Sequence, residues 1–211
     1  MAARPLLYSM PISHYCVCAD RSLALKDVDF ETEYVPYHDK RELIEATGQD
    51  YVPTLLWDGK PVMWYDIAEF LEKARPKPSL YPKGQRGLAL TLENWGHQVL
   101  EERVWRYIVT KIPPVLRDEQ ERWVFEEMQT RARGPWHVLE SRREEFREDM
   151  DKHLTLVESM LDGRDWLLGE PSLGDCGVYG GLSPLLTAGE KVPKGFPQVA
   201  RWVERTQSLG R

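Results

Sequence analysis

The residues best placed to do chemistry lie near the start of the chain. Ser13-His14-Tyr15-Cys16 follows the apolar run Leu6-Leu7-Tyr8 and the interruption Met10-Pro11-Ile12. Ser13 stands where a helix N-cap belongs, ahead of a helix expected to run through Lys26. The N-terminus of a helix offers unpaired amides and a partial positive charge, so it favours an anionic sulfur, and thiolates held there have lowered pKa values. A hydroxyl at that position can donate to a bound sulfur and keep it as the thiolate, ready to attack an electrophile. The plainer reading of Ser13 is a cap alone, and the two roles are compatible. Tyr8, at the end of the preceding run, is the rival hydroxyl; its plainer reading is a buried strand tyrosine. His14, Cys16 and Cys18 are metal-ligand types, but a structural zinc needs a fourth ligand and a second ligand pair, so no metal is expected from this segment.

These residues need elements to position them. Strands are expected at Pro5 to Ser9 and Phe30 to Tyr37, the second carrying Tyr34 and Val35. Arg41 to Ala46 reads as a short helix ended by Gly48. Val52 to Trp57 and Pro61 to Tyr65 flank Asp58-Gly59, a hairpin signal, and Ile67, Ala68, Phe70 and Leu71 follow helical spacing. The order β-α-β-α-β-β-α implies a mixed four-stranded sheet. Arg75-Pro76-Lys77-Pro78-Ser79 cannot continue a helix, and beyond Gly84 only helical patterns remain. A long helix is expected from Leu88 to Thr110, broken by Pro113-Pro114, and another from Arg117 to Ala132. A stripe of Phe146, Met150, Leu154, Val157 and Leu161 follows, then two shorter helices after Ser172 and Pro197.

Three separated motifs carry a resemblance. Leu7-Tyr8-Ser9 leading through Ser13-His14-Tyr15-Cys16 to Leu23-Ala24-Leu25-Lys26 is similar to the strand-turn-helix of serine- and cysteine-type glutathione S-transferases. Val52-Pro53-Thr54-Leu55, Asp58-Gly59 and Ile67-Ala68-Glu69-Phe70-Leu71 resemble that family's Val-Pro-x-Leu, hairpin and following helix. Trp166-Leu167-Leu168-Gly169 and Pro171-Ser172-Leu173-Gly174-Asp175 look like its capped helix, with Ser172 and Asp175 at capping-box spacing. The resemblance spans nearly the whole chain. It implies an α/β plus all-α protein: a thioredoxin-like, glutathione-binding domain over 1–76, a linker over 77–84 and an all-helical domain over 85–211.

The resemblance also implies an activity. Glutathione would be the co-substrate, with no other cofactor, and a small hydrophobic electrophile its partner. Ser13 would hold the thiolate, while Tyr51, Val52, Pro53, Met63 and Trp64 would contact the tripeptide. A cis bond before Pro53 would leave the Val52 backbone free to pair with an extended peptide. In the tyrosine-type classes Tyr8 would be the donor instead. Thioredoxin-like oxidoreductases carry Cys-x-x-Cys where Ser13-His14-Tyr15-Cys16 stands; with serine first, ordinary disulfide exchange loses its attacking thiol, and Cys16 reads as a small buried hydrophobe. The departure from the family is at the γ-glutamyl site. The usual acid-serine pair is Met63-Trp64 or Trp64-Tyr65, depending on register, and Asp66 is the nearest acid. A second reading therefore stands beside the first: a binding or scaffold protein that keeps the fold and has lost glutathione. Trp95, Trp105 and Tyr107 fall on the helix that lines the family's electrophile pocket, and the plainer reading of each one alone is core packing between helices.

Composition limits the remaining classes. The 211 residues are 42% hydrophobic and 29% charged, with net charge −6 and three cysteines. Basic residues are interleaved with acidic ones, as in Arg142, Arg143 and Arg147 among Glu144, Glu145, Glu148 and Asp149, which reads as a solvated helix face. Nucleic acid is not an expected partner. No apolar run approaches the roughly 20 residues of a membrane-spanning helix, and no export signal is apparent. The expected compartment is the cytoplasm, and the expected assembly a two-fold homodimer.

Overall fold

The computed structural model describes residues 4–210. Its first part is a four-stranded sheet in the order β2-β1-β3-β4, made of β1 (Leu6–Ser9), β2 (Glu31–Tyr34), β3 (Thr54–Trp57) and β4 (Lys60–Met63). β1 and β2 are parallel, joined through helix α1 (His14–Leu25); β3 runs antiparallel to both β1 and β4. Helices α2 (Arg41–Thr47) and α3 (Ile67–Ala74) complete the βαβαββα order read from the sequence. The hairpin turns on Asp58 (φ 48°) and Gly59 (φ 74°). Positive φ at both turn residues is the conformation that an Asp-Gly pair tolerates and that matches the strand twist. Leu7, Leu23, Leu55 and Leu71, all fully buried, pack the sheet against α1 and α3.

The end of α1 is tied to the linker by a buried cation. Lys26 has its ammonium paired with Glu72, and it donates to the carbonyls of Arg75 at 2.8 Å and Pro78 at 2.7 Å. Glu72 in turn accepts from the Leu80 amide at 2.6 Å. A buried charge is tolerable only when paired and hydrogen-bonded in this way. The bonds to Pro53 and Pro78 are both cis.

Beyond Gly84 every regular element among the described residues is helical. The long helix expected from Leu88 is α4 (Arg86–Trp95), a π-helical turn at Gly96–Leu100, and α5 (Glu101–Ile108) in one continuous run. The π turn was not foreseen; it inserts a wider turn where Gly96 meets the backbone of the penultimate helix. Then come α6 (Glu119–Arg133), α7 (Trp136–Ser141), α8 (Arg143–Met160), α9 (Leu173–Thr187) and α10 (Pro197–Gln207). The α8 stripe is core as expected: Phe146, Met150, Leu154 and Val157 are buried.

Helix α9 is the axis of the molecule, buried over almost its whole length and packed against α1, α4 and α5. The capping box at its start is present and extended. The Ser172 hydroxyl donates to Asp175 Oδ2 at 2.6 Å, and Asp175 Oδ1 accepts from the Leu167 amide at 3.0 Å and from Trp202 Nε1 at 2.9 Å. No described helix is long and apolar enough to cross a membrane.

Candidate active-site cleft

A cleft of about 400 Å³ opens between the α/β part and the helical part. Its floor is the head of α1. Ser13 has extended φ and ψ (−85° and 117°), and its hydroxyl accepts from the Cys16 amide at 3.4 Å, as an N-cap does. The same hydroxyl also lies beside the Cys16 thiol, and it can turn from that sulfur to donate to a ligand. No acidic residue lies in the first turn of α1 to offset its positive end. One wall carries Val52, whose amide and carbonyl have no hydrogen-bond partner among the described residues, and Tyr51, which is exposed. The opposite wall carries Trp105 and Arg133 from the helical part.

The cleft mixes charged and apolar lining, and the Arg133 guanidinium lies 5.7 Å from the Trp105 ring centroid. Lys40 lies at the rim, its ammonium donating to the Asp50 carbonyl at 2.7 Å. Arg133 bonds Glu102 Oε2 at 2.8 Å and also Gln129, yet its Nε is buried without a partner. His14 Nδ1 lies 3.2 Å from Glu101, a mostly buried contact across the two parts. Trp105 is buried against Phe125 at 5.9 Å between ring centroids and turns an apolar face to the cleft. The Lys40 ammonium and the start of α1 suit an anionic group, although Glu101 also lines the cleft, and the aromatic wall suits an apolar one.

Beneath the cleft, Glu121 is completely buried and ties α6 to the segment after β2. It accepts from the Tyr34 hydroxyl at 2.6 Å, the Tyr37 amide at 2.8 Å and the Arg117 amide at 3.0 Å. Burial and this carboxylate push the Tyr34 hydroxyl well above the usual phenol range. Sequence reasoning did not find Glu121. A carboxylate two residues into a helix reads as ordinary first-turn charge, and two of its three partners, Tyr34 and Tyr37, lie more than 80 positions away.

The structure brings Ser13, Tyr51 and Val52 to one cleft, with Pro53 next in the chain. Met63 sits elsewhere, paired with Thr54 in the hairpin. Trp64 is 41% exposed and lies over Tyr15, with ring centroids 4.8 Å apart. It lines a second cavity of about 180 Å³ with Tyr65. Asp66 takes the N-cap position of α3 but makes no side-chain cap bond and points no acid into the Ser13 cleft. Tyr8 is buried against Val35 and Leu43, its hydroxyl raised in pKa by burial, and it opens on a separate cavity at Glu33 and Arg117. Cys16 is buried, its sulfur accepting from the Met10 amide at 3.4 Å, and burial raises its thiol. Trp95 and Tyr107 lie outside the cleft, packed beside His153 and Arg143 respectively.

The second cavity holds a side-chain group that no motif announced. Cys18, Glu93 and His97 place one donor atom each within 4.8 Å of one another. Burial disfavours the charged form of all three. It raises the Cys18 thiol, pushes Glu93 up to about 7 and pushes His97 down to about 3.

The chain has counterparts among known proteins. Residues 7–79 match the glutathione S-transferase N-terminal domain, and residues 140–205 match the glutathione S-transferase C-terminal domain. No curated protein sequence matches it. Among solved structures it resembles a glutathione transferase from Phanerochaete chrysosporium, with TM-score 0.78 and 16% identity over 99% of this chain and 97% of that one. Glutaredoxin 2 from Salmonella typhimurium, solved in complex with glutathione, gives TM-score 0.77 and 16% identity, covering 98% and 96%. A glutathione S-transferase from Rhodospirillum rubrum gives 0.72 and 22% identity, covering 97% and 88%. At such identities these structures share the fold. The two domain matches, in order and on the two parts described above, place the chain in the glutathione S-transferase family.

Proposed function

We propose that the protein binds glutathione in the Ser13 cleft and activates its thiol for attack on a small hydrophobic electrophile. The observation that carries this reading is the meeting, in one cleft, of a hydroxyl at a helix N-terminus and the unpaired backbone of Val52. An extended tripeptide can pair with Val52 as an added strand does. Its sulfur then falls toward the start of α1, where the Ser13 hydroxyl donates to it and the helix end favours the negative charge. The sulfur lone pair forms the new bond to carbon, the electrophile's leaving group or π electrons take up the displaced pair, and the thiol proton goes to solvent. Lys40, whose ammonium meets only a backbone carbonyl, supplies positive charge for a carboxylate, and Trp105 an apolar surface for the electrophile.

Conjugation assays with an aryl halide on the wild type and on Ser13→Ala test this. The expected result is a slower reaction with glutathione affinity little changed. Full activity in Ser13→Ala together with its loss in Tyr8→Phe would transfer the role to Tyr8.

One observation favours a second reading, a fold-retaining binding protein without glutathione. Trp64 stands at a position that the resemblance gives to the family's acid-serine pair, and its ring packs against Tyr15 instead of presenting an acid. Retention on immobilised glutathione supports the first reading, and passage through the column supports the second. A two-fold dimer belongs to the proposal as well. The resemblance implies it, and closed two-fold symmetry is the commonest assembly. Light scattering should give twice the chain mass at micromolar concentration.

A further inference from the structure

Cys18, Glu93 and His97 come together through helix packing, not through proximity in sequence. Glu93 and His97 lie four positions apart on the run from α4 into the π turn, so they share a face. Cys18 lies on α1, some 75 positions earlier. Both helices press onto the backbone of α9 at its glycines. A Cβ on Gly177 would meet Glu93 Cα at 2.4 Å, and one on Gly181 would meet the Gly96 carbonyl oxygen at 2.3 Å. A Cβ on Gly180 would meet the His14 carbonyl oxygen at 2.6 Å, with Cys18 Cβ 3.4 Å away. Only the absence of side chains on α9 lets the three donors approach one another.

The group is unlike an incidental polar cluster. His97 is 7% exposed, and its Nδ1 is buried with no hydrogen-bond partner among the described residues. Cys18 is a buried free thiol. Glu93 is half-buried and lines the cavity, so its carboxylate faces the space beside His97 and Cys18. Native interiors rarely leave buried polar atoms unpaired, and an unfilled ligand site is one of the few reasons they do. Single π turns occur most often at functional sites, and this one carries His97.

We propose that Cys18 Sγ, a Glu93 carboxylate oxygen and a His97 ring nitrogen form a zinc site with three protein ligands, its fourth position opening into the cavity that Trp64 and Tyr65 line. One sulfur, one nitrogen and one oxygen make a borderline-soft set that suits Zn²⁺, where all-oxygen sets suit Mg²⁺ or Ca²⁺. Zinc bonds of about 2.0–2.3 Å place tetrahedral donors roughly 3.3–3.8 Å apart. The donors, all within 4.8 Å of one another, therefore draw in by up to about 1 Å, through rotation of Glu93 for its two distances and of Cys18 or His97 for the third. Zinc takes the thiolate, so the Cys18 proton passes to solvent on loading. A site with three protein ligands and one open position can hold water or an exogenous ligand from the cavity. This inference does not depend on glutathione binding at Ser13.

The test uses the full chain, stripped with chelator and titrated with zinc chloride by calorimetry, and with cobalt chloride as a spectroscopic probe. One equivalent should bind, and cobalt should give a thiolate-to-metal charge-transfer band in the near ultraviolet. Cys18→Ser should abolish the band. Losing even an outer-sphere partner costs about 10–100-fold in affinity, so Glu93→Gln and His97→Gln should each weaken zinc binding by about 100-fold or more. Circular dichroism checks that each variant is folded; if Cys18→Ser is not, the other two carry the test. Zinc should raise the Tm of the wild type and of Cys16→Ser, and of none of the three ligand variants. Absence of saturable one-equivalent binding, a cobalt band that survives Cys18→Ser, or undiminished affinity in both Glu93→Gln and His97→Gln would overturn the proposal.

Discussion

The Ser13 cleft and the Cys18 cavity share the first two turns of α1, yet they are built in different ways. The cleft draws its working atoms from backbone geometry close to short motifs: a cap at Ser13 and a strand entry at Val52. The cavity draws its atoms from three side chains that only tertiary packing unites. A cap is a local preference, and it forms wherever the helix forms. A converged triad depends on the distance between helices, which small residues on α9 set. The two regions should therefore respond differently to the same kind of damage.

The largest effect is expected where that distance is set. Gly177→Ala drives a methyl group into the Glu93 backbone, and no flexible side chain can yield. Overpacking costs about 1–3 kcal/mol when side chains can adjust, so a loss of about 3 kcal/mol or more is expected in urea denaturation. The zinc-dependent rise in Tm should vanish with it. A Gly177→Ala protein of unchanged stability would mean that the helices part freely and that α9 does not fix the triad.

Next comes the support beneath the cleft. Glu121→Ala strands the Tyr34 hydroxyl and two amides. Each unsatisfied buried group costs about 1–3 kcal/mol, partly relieved by entering water, so a loss of roughly 2–3 kcal/mol is expected. Glutathione should bind more weakly because Tyr37 shifts, while zinc affinity stays at the wild-type value. A change in zinc affinity equal to that in glutathione affinity would show the two regions to be one coupled unit.

The distinction also explains what could be read from residues alone. The βαβαββα element order, the Asp58-Gly59 hairpin, the buried stripe on α8 and the Ser172-Asp175 box are set by near neighbours, and all are present as expected. The second strand is shorter than Phe30 to Tyr37 because Pro36 removes a ladder donor beyond Val35. Glu121, Lys26 and the Cys18 group were not legible, since each is defined by partners tens of positions away. For the last, the i, i+4 pair Glu93 and His97 was a visible sign, but nothing in the chain's order tied it to Cys18. The Met63-Trp64 departure was visible as a substitution; its outcome, a tryptophan laid over Tyr15, was not.

Smaller effects discriminate within the cleft itself. Ser13→Ala should slow conjugation roughly tenfold, short of the about 10²–10³ typical for one preorganised donor, because the helix end still favours the thiolate. Tyr8→Phe should leave the rate nearly unchanged, since Tyr8 opens on a different cavity.

The central claim is that the head of α1 stabilises a bound thiolate, and titration of that thiol tests it most directly. Thiolate absorbance of the glutathione complex is followed against pH for the wild type and Ser13→Ala. The apparent pKa should lie below the roughly 8.5 of a free thiol in the wild type and move upward in Ser13→Ala. Equal pKa values in the two proteins, or a wild-type value no lower than that of the free thiol, would contradict it.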